Sequence, residues 1–295
     1  MGRKLLGALG VLLLIVALAA TGVWFAAEAR IAKRYDVAAE PIALPTDADA
    51  LARGRHLATT RGCAECHGAD FGGKLMSEDG FMGRIVSANL TAGKGGVGAR
   101  YSDAELARSI RRGVKGDGRS VIIMPAEDYF PMSDADLGAL IAYLRSVPPV
   151  DRDLGAPRLG PGAHALLVLA HAPLLSAESI APGRVREARP EAAVSVEYGR
   201  YVGAVCVGCH GRDYAGGLVN GPPGTPPSSN LTPAGPTALW SEDQFVSALR
   251  EGKLPDGREL DANAMPWKVF AGFDDTEARA IWAFLRTLPP VTKKS

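Results

Sequence analysis

The first pattern along the chain is an apolar run, Leu5 to Ala27, that follows Arg3 and Lys4. Its length matches the ~20 residues a helix needs to cross a hydrocarbon core. Trp24 and Phe25 stand where an interfacial aromatic belt would fall, and Arg30, Lys33 and Arg34 come next. A transmembrane helix over 1–30 is therefore expected. The competing reading is a secretory signal cleaved at Ala27-Glu28-Ala29, although the run exceeds the roughly 7–15 apolar residues usual for such signals. Basic residues flank both ends, so charge does not set the orientation.

Beyond a linker over 31–46, helical periodicity recurs in short segments. Helices are expected from about Ala48 to Thr60 and from Val196 to Val205. Ser102 and Ser241 read as N-caps before the apolar-periodic stretches Leu106 to Ile110 and Phe245 to Leu249, and Glu105 completes a capping box in the first case. Later helices run from about Asp134 to Ser146 and from Asp275 to Thr287, and Pro-Pro stops each of them. The Asp-Gly pairs and the Gly/Pro stretches between helices read as turns. One other apolar run, Ala165 to Ala170, lies in the Pro-rich stretch 151–194. It is too short to span a membrane and is expected to pack between domains or against one of them.

These segments repeat in order. Gly54-Arg55-His56 corresponds to Gly199-Arg200-Tyr201, Asn89-Leu90-Thr91 to Asn230-Leu231-Thr232, and Tyr101-Ser102 to Trp240-Ser241. Asp117-Gly118-Arg119 corresponds to Asp256-Gly257-Arg258, Met124-Pro125 to Met265-Pro266, and the closing Leu144-Arg145 and Pro148-Pro149-Val150 to Leu285-Arg286 and Pro289-Pro290-Val291. The pattern predicts a mainly α protein with two tandem copies of one domain, over 47–150 and 195–295, joined by 151–194.

Composition narrows the chemistry. Thirty-five Gly and 21 Pro, with few aromatics, suit small domains whose loops wrap a group that supplies core volume. The net charge of +1 leaves no basic footprint, so a nucleic-acid partner is not expected. There are four cysteines, and all fall in two pentapeptides: Cys63-Ala64-Glu65-Cys66-His67 and Cys206-Val207-Gly208-Cys209-His210. A disulfide framework would spread along the chain, and a zinc site would need its ligand pairs brought together. Two C-x-x-C-H motifs inside a repeat fit covalent haem c better. The two thiols add across the haem vinyl groups, and the adjacent His67 or His210 supplies the proximal nitrogen.

The distal ligand decides what such a haem does. A Met or His on that side gives an electron carrier, and Met raises the potential; an open side permits binding or activation of a small molecule. Met124 and Met265 occupy matching positions, each stiffened by the following Pro. Met132, Met76 and Met82 are fallbacks for the first copy only. His56 aligns with Tyr201, and His164 and His171 lie in the connection, so none of the three is a repeat-matched ligand. The Asn-Leu-Thr triplets fit a glycosylation pattern, but their repetition suggests instead that they order a loop beside the haem edge. Gly93-Lys94-Gly95-Gly96-Val97-Gly98 lacks the Lys-Ser/Thr and the preceding strand of a nucleotide phosphate loop.

Taken together, Asn230-Leu231-Thr232-Pro233, Trp240-Ser241, Phe245, Leu249-Arg250, Gly252, Asp256-Gly257-Arg258, Met265-Pro266 and the terminal Leu288-Pro289-Pro290-Val291 are a recognisable string. Each copy resembles the haem domain of the multi-haem cytochrome c subunits of membrane-bound alcohol, aldehyde and gluconate dehydrogenases. That resemblance implies class I cytochrome c-like domains, His/Met-ligated haems and electron transfer from a dehydrogenase towards quinone or a terminal oxidase. Those subunits typically carry three haem domains and a C-terminal anchor, whereas here there are two domains and an N-terminal anchor. Because c-type attachment takes place outside the bacterial cytoplasmic membrane, the domains are expected in the periplasm. Relay between a dehydrogenase or quinol-side donor and a cytochrome or oxidase is the expected function. A di-haem peroxidase or thiosulfate-oxidising enzyme with one open haem is the alternative.

Overall fold

The computed structural model describes residues 2–181, 183–184, 188–218 and 225–292. The Gly/Pro-rich 219–224, expected to turn, lies outside the described residues. Twelve helices follow in chain order among them: α1 (Gly2–Ala32), α2 (Ala48–Thr60), α3 (Cys63–His67), α4 (Asp103–Arg112), α5 (Ala126–Tyr129) and α6 (Asp134–Ser146), then α7 (Pro161–Leu169), α8 (Val196–Val202), α9 (Val207–His210), α10 (Glu242–Glu251), α11 (Trp267–Phe270) and α12 (Asp275–Leu285). Three short strands, β1 (Leu75–Asp79), β2 (Gly83–Val86) and β3 (Arg158–Leu159), complete the list of longer elements.

The expected helix starts hold because each has its cap. Asp47, Ser102, Ser133, Ser195, Ser241 and Asp274 all accept from the backbone N–H three residues on, which satisfies donors that a helix cannot pair internally. Gln244 closes a capping box in the second copy as Glu105 does in the first. Two ends differ from expectation. After Val202 the α8 helix tightens into a 3-10 turn over Gly203–Cys206, and α12 stops at Leu285 rather than Thr287.

The chain forms two compact units that cut across the repeat. One comprises 1–40, 66–124 and 148–181; the other comprises 41–65, 125–147 and 182–295. In the first unit, β1 and β2 form an antiparallel hairpin (Ser77↔Ile85, Glu78↔Arg84, Asp79↔Gly83), and β3 adds to β2. The Asp79 carboxylate accepts from the N–H groups of Phe81 and Met82 at the hairpin tip. The sequence pattern did not predict this hairpin, because every side chain of β1 is exposed and no inside–outside alternation marks it. The helix α7 carries the apolar run of the connection and packs on α1, with Ala27, Leu167 and Leu175 buried together. α1 is long and apolar enough to cross a membrane.

In the second unit α2 crosses α6, and α8 crosses α12. Glycine makes both crossings close: a Cβ on Gly54 would stand 2.1 Å from the Ala139 carbonyl oxygen, and one on Gly199 1.8 Å from that of Ala280. The apolar core gathers Tyr198, Val202, Phe245, Leu249, Phe273, Ile281 and Phe284. Beside it lies a polar cluster. Asp136 and Glu277 are 1% and 2% exposed, and both are served by the Arg53 guanidinium at 3.1 Å. Tyr201 donates to Asp136 (2.7 Å), and His56 Nε2 meets Glu277 (2.7 Å). Burial alone would raise both carboxyls. Arg53 with Tyr201 and Arg189 around Asp136, and His56 with Arg53 around Glu277, hold them below the usual carboxylate range.

Candidate haem-binding sites

Each C-x-x-C-H motif is helical: α3 spans the whole first motif, and in the second the 3-10 turn ending at Cys206 runs into α9. A glycine in the left-handed region follows each histidine, Gly68 at φ +82° and Gly211 at +79°, and lets the chain reverse. Phe71 and Tyr214 then both take a left-handed conformation rare for aromatics, at φ 55° and 56°. The reversed loop is pinned identically in the two copies. Gly73 N–H donates to the His67 carbonyl and Gly216 N–H to that of His210, both at 2.8 Å. Leu90 N–H donates to Phe71 and Leu231 N–H to Tyr214.

The histidine rings are oriented by the same device. His67 Nδ1 lies 2.7 Å from the Ala88 carbonyl, and His210 Nδ1 lies 2.7 Å from that of Ser229. A carbonyl only accepts, so Nδ1 carries the proton and Nε2 is left with its lone pair, the arrangement a metal-ligating histidine uses. Burial pushes both imidazoles down, against the opposing pull of these hydrogen bonds, so the neutral form prevails at neutral pH. These two carbonyls were missed in the sequence. The available signal was their place immediately before the repeat-matched Asn-Leu-Thr triplets.

The triplets work as staples. Asn89 Nδ2 donates to the Val150 carbonyl (2.7 Å), Thr91 Oγ1 donates to Asn89 Oδ1 (2.8 Å), and Val150 N–H donates to Thr91 Oγ1 (2.9 Å). Asn230, Thr232 and Val291 repeat the same bonds at 2.8, 2.7 and 3.2 Å. The loop whose carbonyl aims the histidine is thus tied to the segment after the terminal Pro-Pro. The Gly93–Gly98 stretch folds against the same segment, where a Cβ on Gly93 would stand 2.2 Å from the Val150 carbonyl oxygen. It is a close-packed turn.

Burial pushes the Cys206 thiol up to about 12 and raises Cys209 as well. A neutral thioether suits these buried surroundings. Among the described residues, no three His, Cys, Asp or Glu side chains gather as a metal site of their own. Two thiols followed by a histidine whose Nε2 is left free to ligate are a donor set that fits haem c. Against the second motif lies Asp128, whose carboxylate would meet a Cβ on Gly208 at 2.4 Å. Burial, and then the neighbouring Glu127, raise this carboxyl to about 7.

Met124 and Met265 are both half-buried and each precedes a single helical turn, α5 or α11. Cys206 and Met265 pack against the same apolar core of the second unit. In the first copy Cys66, His67 and Met124 belong to the first unit, while Cys63 falls at the edge of the second. Met132 is 3% exposed within an apolar core, and Met76 is exposed on β1. His56 and His164 are engaged by Glu277 and Glu28, and His171 lies exposed.

The cytochrome c family model matches residues 51–148 and 197–289. The chain belongs to the cytochrome c family, whose domains carry haem c. It is 27% identical over 288 residues to an alcohol dehydrogenase (quinone) cytochrome c subunit of Gluconacetobacter polyoxogenes, which covers 86% of this chain and 60% of that one. It is 30% identical over 225 residues to a nicotinate dehydrogenase subunit of Pseudomonas putida (68% of this chain, 18% of the relative). It is 36% identical over 121 residues to the fructose dehydrogenase cytochrome subunit of Gluconobacter japonicus (38% and 24%). The chain thus spans between 18% and 60% of the length of these relatives.

Proposed function

We propose that this chain is a membrane-anchored electron relay with two haem c groups, one in each copy (47–150 and 195–295). Cys63 and Cys66, and Cys206 and Cys209, form the thioethers. His67 and His210 are the proximal ligands, and Met124 and Met265 the distal ones. The observation that best supports this reading is the matched presentation of the two histidines, each with Nδ1 on a carbonyl at 2.7 Å. An enzyme with one open haem would call for different surroundings in the two copies, and on the histidine side the surroundings are alike.

Haem c supplies a one-electron iron couple. The protein's part is to hold the ligands rigid, so that little rearranges when an electron arrives. The Asn-Leu-Thr staples and the His–carbonyl bonds serve that end, and the apolar packing around Cys206 and Met265 keeps water away. The helix α1 anchors the relay in the cytoplasmic membrane, with both copies in the periplasm and the segment 151–194 joining them. Electrons pass from a dehydrogenase or quinol-side donor to a downstream cytochrome or oxidase.

Optical spectra test the assignment. The oxidised protein should show the weak near-infrared Met–iron band at a strength for two haems, and the reduced protein should not bind carbon monoxide. Met124→Ala and Met265→Ala should each remove half of that band. A high-spin haem that binds carbon monoxide in the unaltered protein would replace the relay by the di-haem enzyme reading. A band left undiminished by either substitution would overturn that ligand.

A further inference from the structure

The connecting helix α7 has no charged side chain and is apolar on two faces. Its inner face lies on α1. Leu167 is wholly buried with Ala27, beside Ile31 and Val168. His164 rests its ring on Trp24 with centroids 4.2 Å apart and meets Glu28 at 2.9 Å. Its outer face is a stripe. Gly162, Leu166 and Leu169 recur at the i, i+4 and i+7 positions that share one side of a helix. The Phe81 ring, from the hairpin tip, covers Gly162, where a Cβ would stand 2.4 Å from it. The tip is held there by Gly162 N–H donating to the Phe81 carbonyl (2.8 Å) and Gly160 N–H to that of Met82 (2.9 Å). Phe81, Leu166 and Leu169 are 67%, 41% and 67% exposed. A continuous apolar row is thus presented outward from two elements.

Its height along α1 indicates what covers it. The apolar, exposed part of α1 runs from Leu5 to Phe25, and α7 is attached to Trp24 through Ile31, the stretch where the helix leaves the hydrocarbon. Trp24 and Phe25 mark that level, and Arg30, Lys33 and Arg34 follow it. An uncharged helix laid at this depth, apolar on the side away from its support, has the character of an interfacial element. We propose that Phe81, Leu166 and Leu169 form a second membrane contact, seated in the headgroup–acyl boundary of the bilayer that α1 crosses. The contact would hold the first unit against the lipid instead of leaving it to swing on a single helix. It rests on the reading of α1 as an anchor.

The test uses the full-length haem-loaded protein in phosphatidylethanolamine–phosphatidylglycerol vesicles. With the four native cysteines held as thioethers, a nitroxide can be placed on Phe81→Cys or Leu169→Cys, with Leu13→Cys as a bilayer reference and Leu239→Cys as an aqueous one. Collision with oxygen and with a water-soluble nickel chelate then reads depth. Labels at 81 and 169 should favour oxygen over nickel, at a shallower depth than the label at 13. If 13 reads deep while 81 and 169 match 239, this inference fails and the anchor stands. If 13 itself reads aqueous, the anchor reading fails and carries the inference down with it. Labels at 81 and 169 shielded from both reagents would mean that protein covers the row, which also overturns the proposal.

Discussion

The loops that present Met124 and Met265 are the clearest place to compare the two copies. The second loop is held from within its own copy. Met265 N–H donates to the Asp261 carbonyl (2.9 Å), Trp267 N–H donates to the Met265 carbonyl (2.7 Å), and the Trp267 indole donates to Leu260 (3.0 Å). The first loop is strapped by the connection between the copies. Ile123 N–H donates to Leu174 (2.8 Å), Ala177 N–H donates to Ser120 Oγ, and the Ser176 hydroxyl donates to the Met124 carbonyl itself. Ile123 sits at φ 67°, in the left-handed region, a strained setting that persists only when neighbours enforce it. The loops reach the same sequence position by different supports. Duplication kept the Met-Pro position itself more closely than the bonds that hold it in place.

What the copies share most fully is helix packing, and the largest expected effects fall there. Arg53, from the first copy, serves Asp136 of its own copy and Glu277 of the other. Arg53→Met would take from buried Asp136 its main partner and from buried Glu277 one of its two cationic partners, and breaking a buried pair costs about 3–5 kcal/mol. Chemical denaturation should show a drop of that size. Both carboxyls are held below their ordinary range, so in the unaltered protein their contribution is present above about pH 4 and is lost as pH falls through the depressed values. The variant should therefore begin to unfold in acid at a higher pH. An unchanged denaturation midpoint would mean that the cluster contributes nothing.

Next in size are the glycine crossings. Gly54→Ala and Gly199→Ala each drive a methyl group into a backbone carbonyl, and overpacking of this kind typically costs about 1–3 kcal/mol. If the copies have the same skeleton, the two losses should agree within about 1 kcal/mol. A large inequality would break the equivalence of the two crossings.

Ser176→Ala and Trp267→Phe then separate the supports. Each removes one hydrogen bond, worth about 1 kcal/mol. The expected signature is selective: Ser176→Ala should perturb the Met–iron band of the first haem and leave the second, and Trp267→Phe the reverse. If both variants disturb both haems equally, the loops are not independently held.

Much of this arrangement was legible in the sequence. The helices α2 and α6 lie at about the bounds expected for them, and the Pro-Pro pair marked the end of α6. The two cytochrome c domains were legible because matching residues recur in the same order in both copies. The missed features are non-local. Arg53, Asp136 and Glu277 each look like a solvated helix charge, and only folding brings them together. The His-orienting groups of Ala88 and Ser229 are backbone carbonyls, which no side-chain motif can reveal. The strap on Met124 comes from a connection with no repeat partner, so comparison of the copies could not expose it.

The smallest contrast lies in a single atom of the capping boxes. In the first copy Glu105 Oε2 accepts from the Ser102 N–H (2.9 Å) and hydroxyl (3.0 Å); in the second, Gln244 Oε1 accepts from the Ser241 N–H at 2.8 Å. The Ser102 backbone bond, then its hydroxyl, hold the Glu105 carboxyl below its usual range. A depressed carboxyl stabilises above its unfolded value, about 4.3, and the contribution disappears as pH falls through the folded one. Glutamine does not titrate, so the capping box of α10 should be indifferent to the same change. Solvent exposure limits the size to about 0.3–0.5 kcal/mol, too little for a global melt but enough for hydrogen exchange. Between pH 5 and pH 3, the first-turn amides of α4 should lose protection relative to those of α10. Glu105→Gln should abolish that difference, whereas it leaves untouched any acid effect that travels through Asp136 and Glu277. If the difference persists in Glu105→Gln, the two boxes are equivalent after all, and the acid sensitivity of the first copy arises elsewhere.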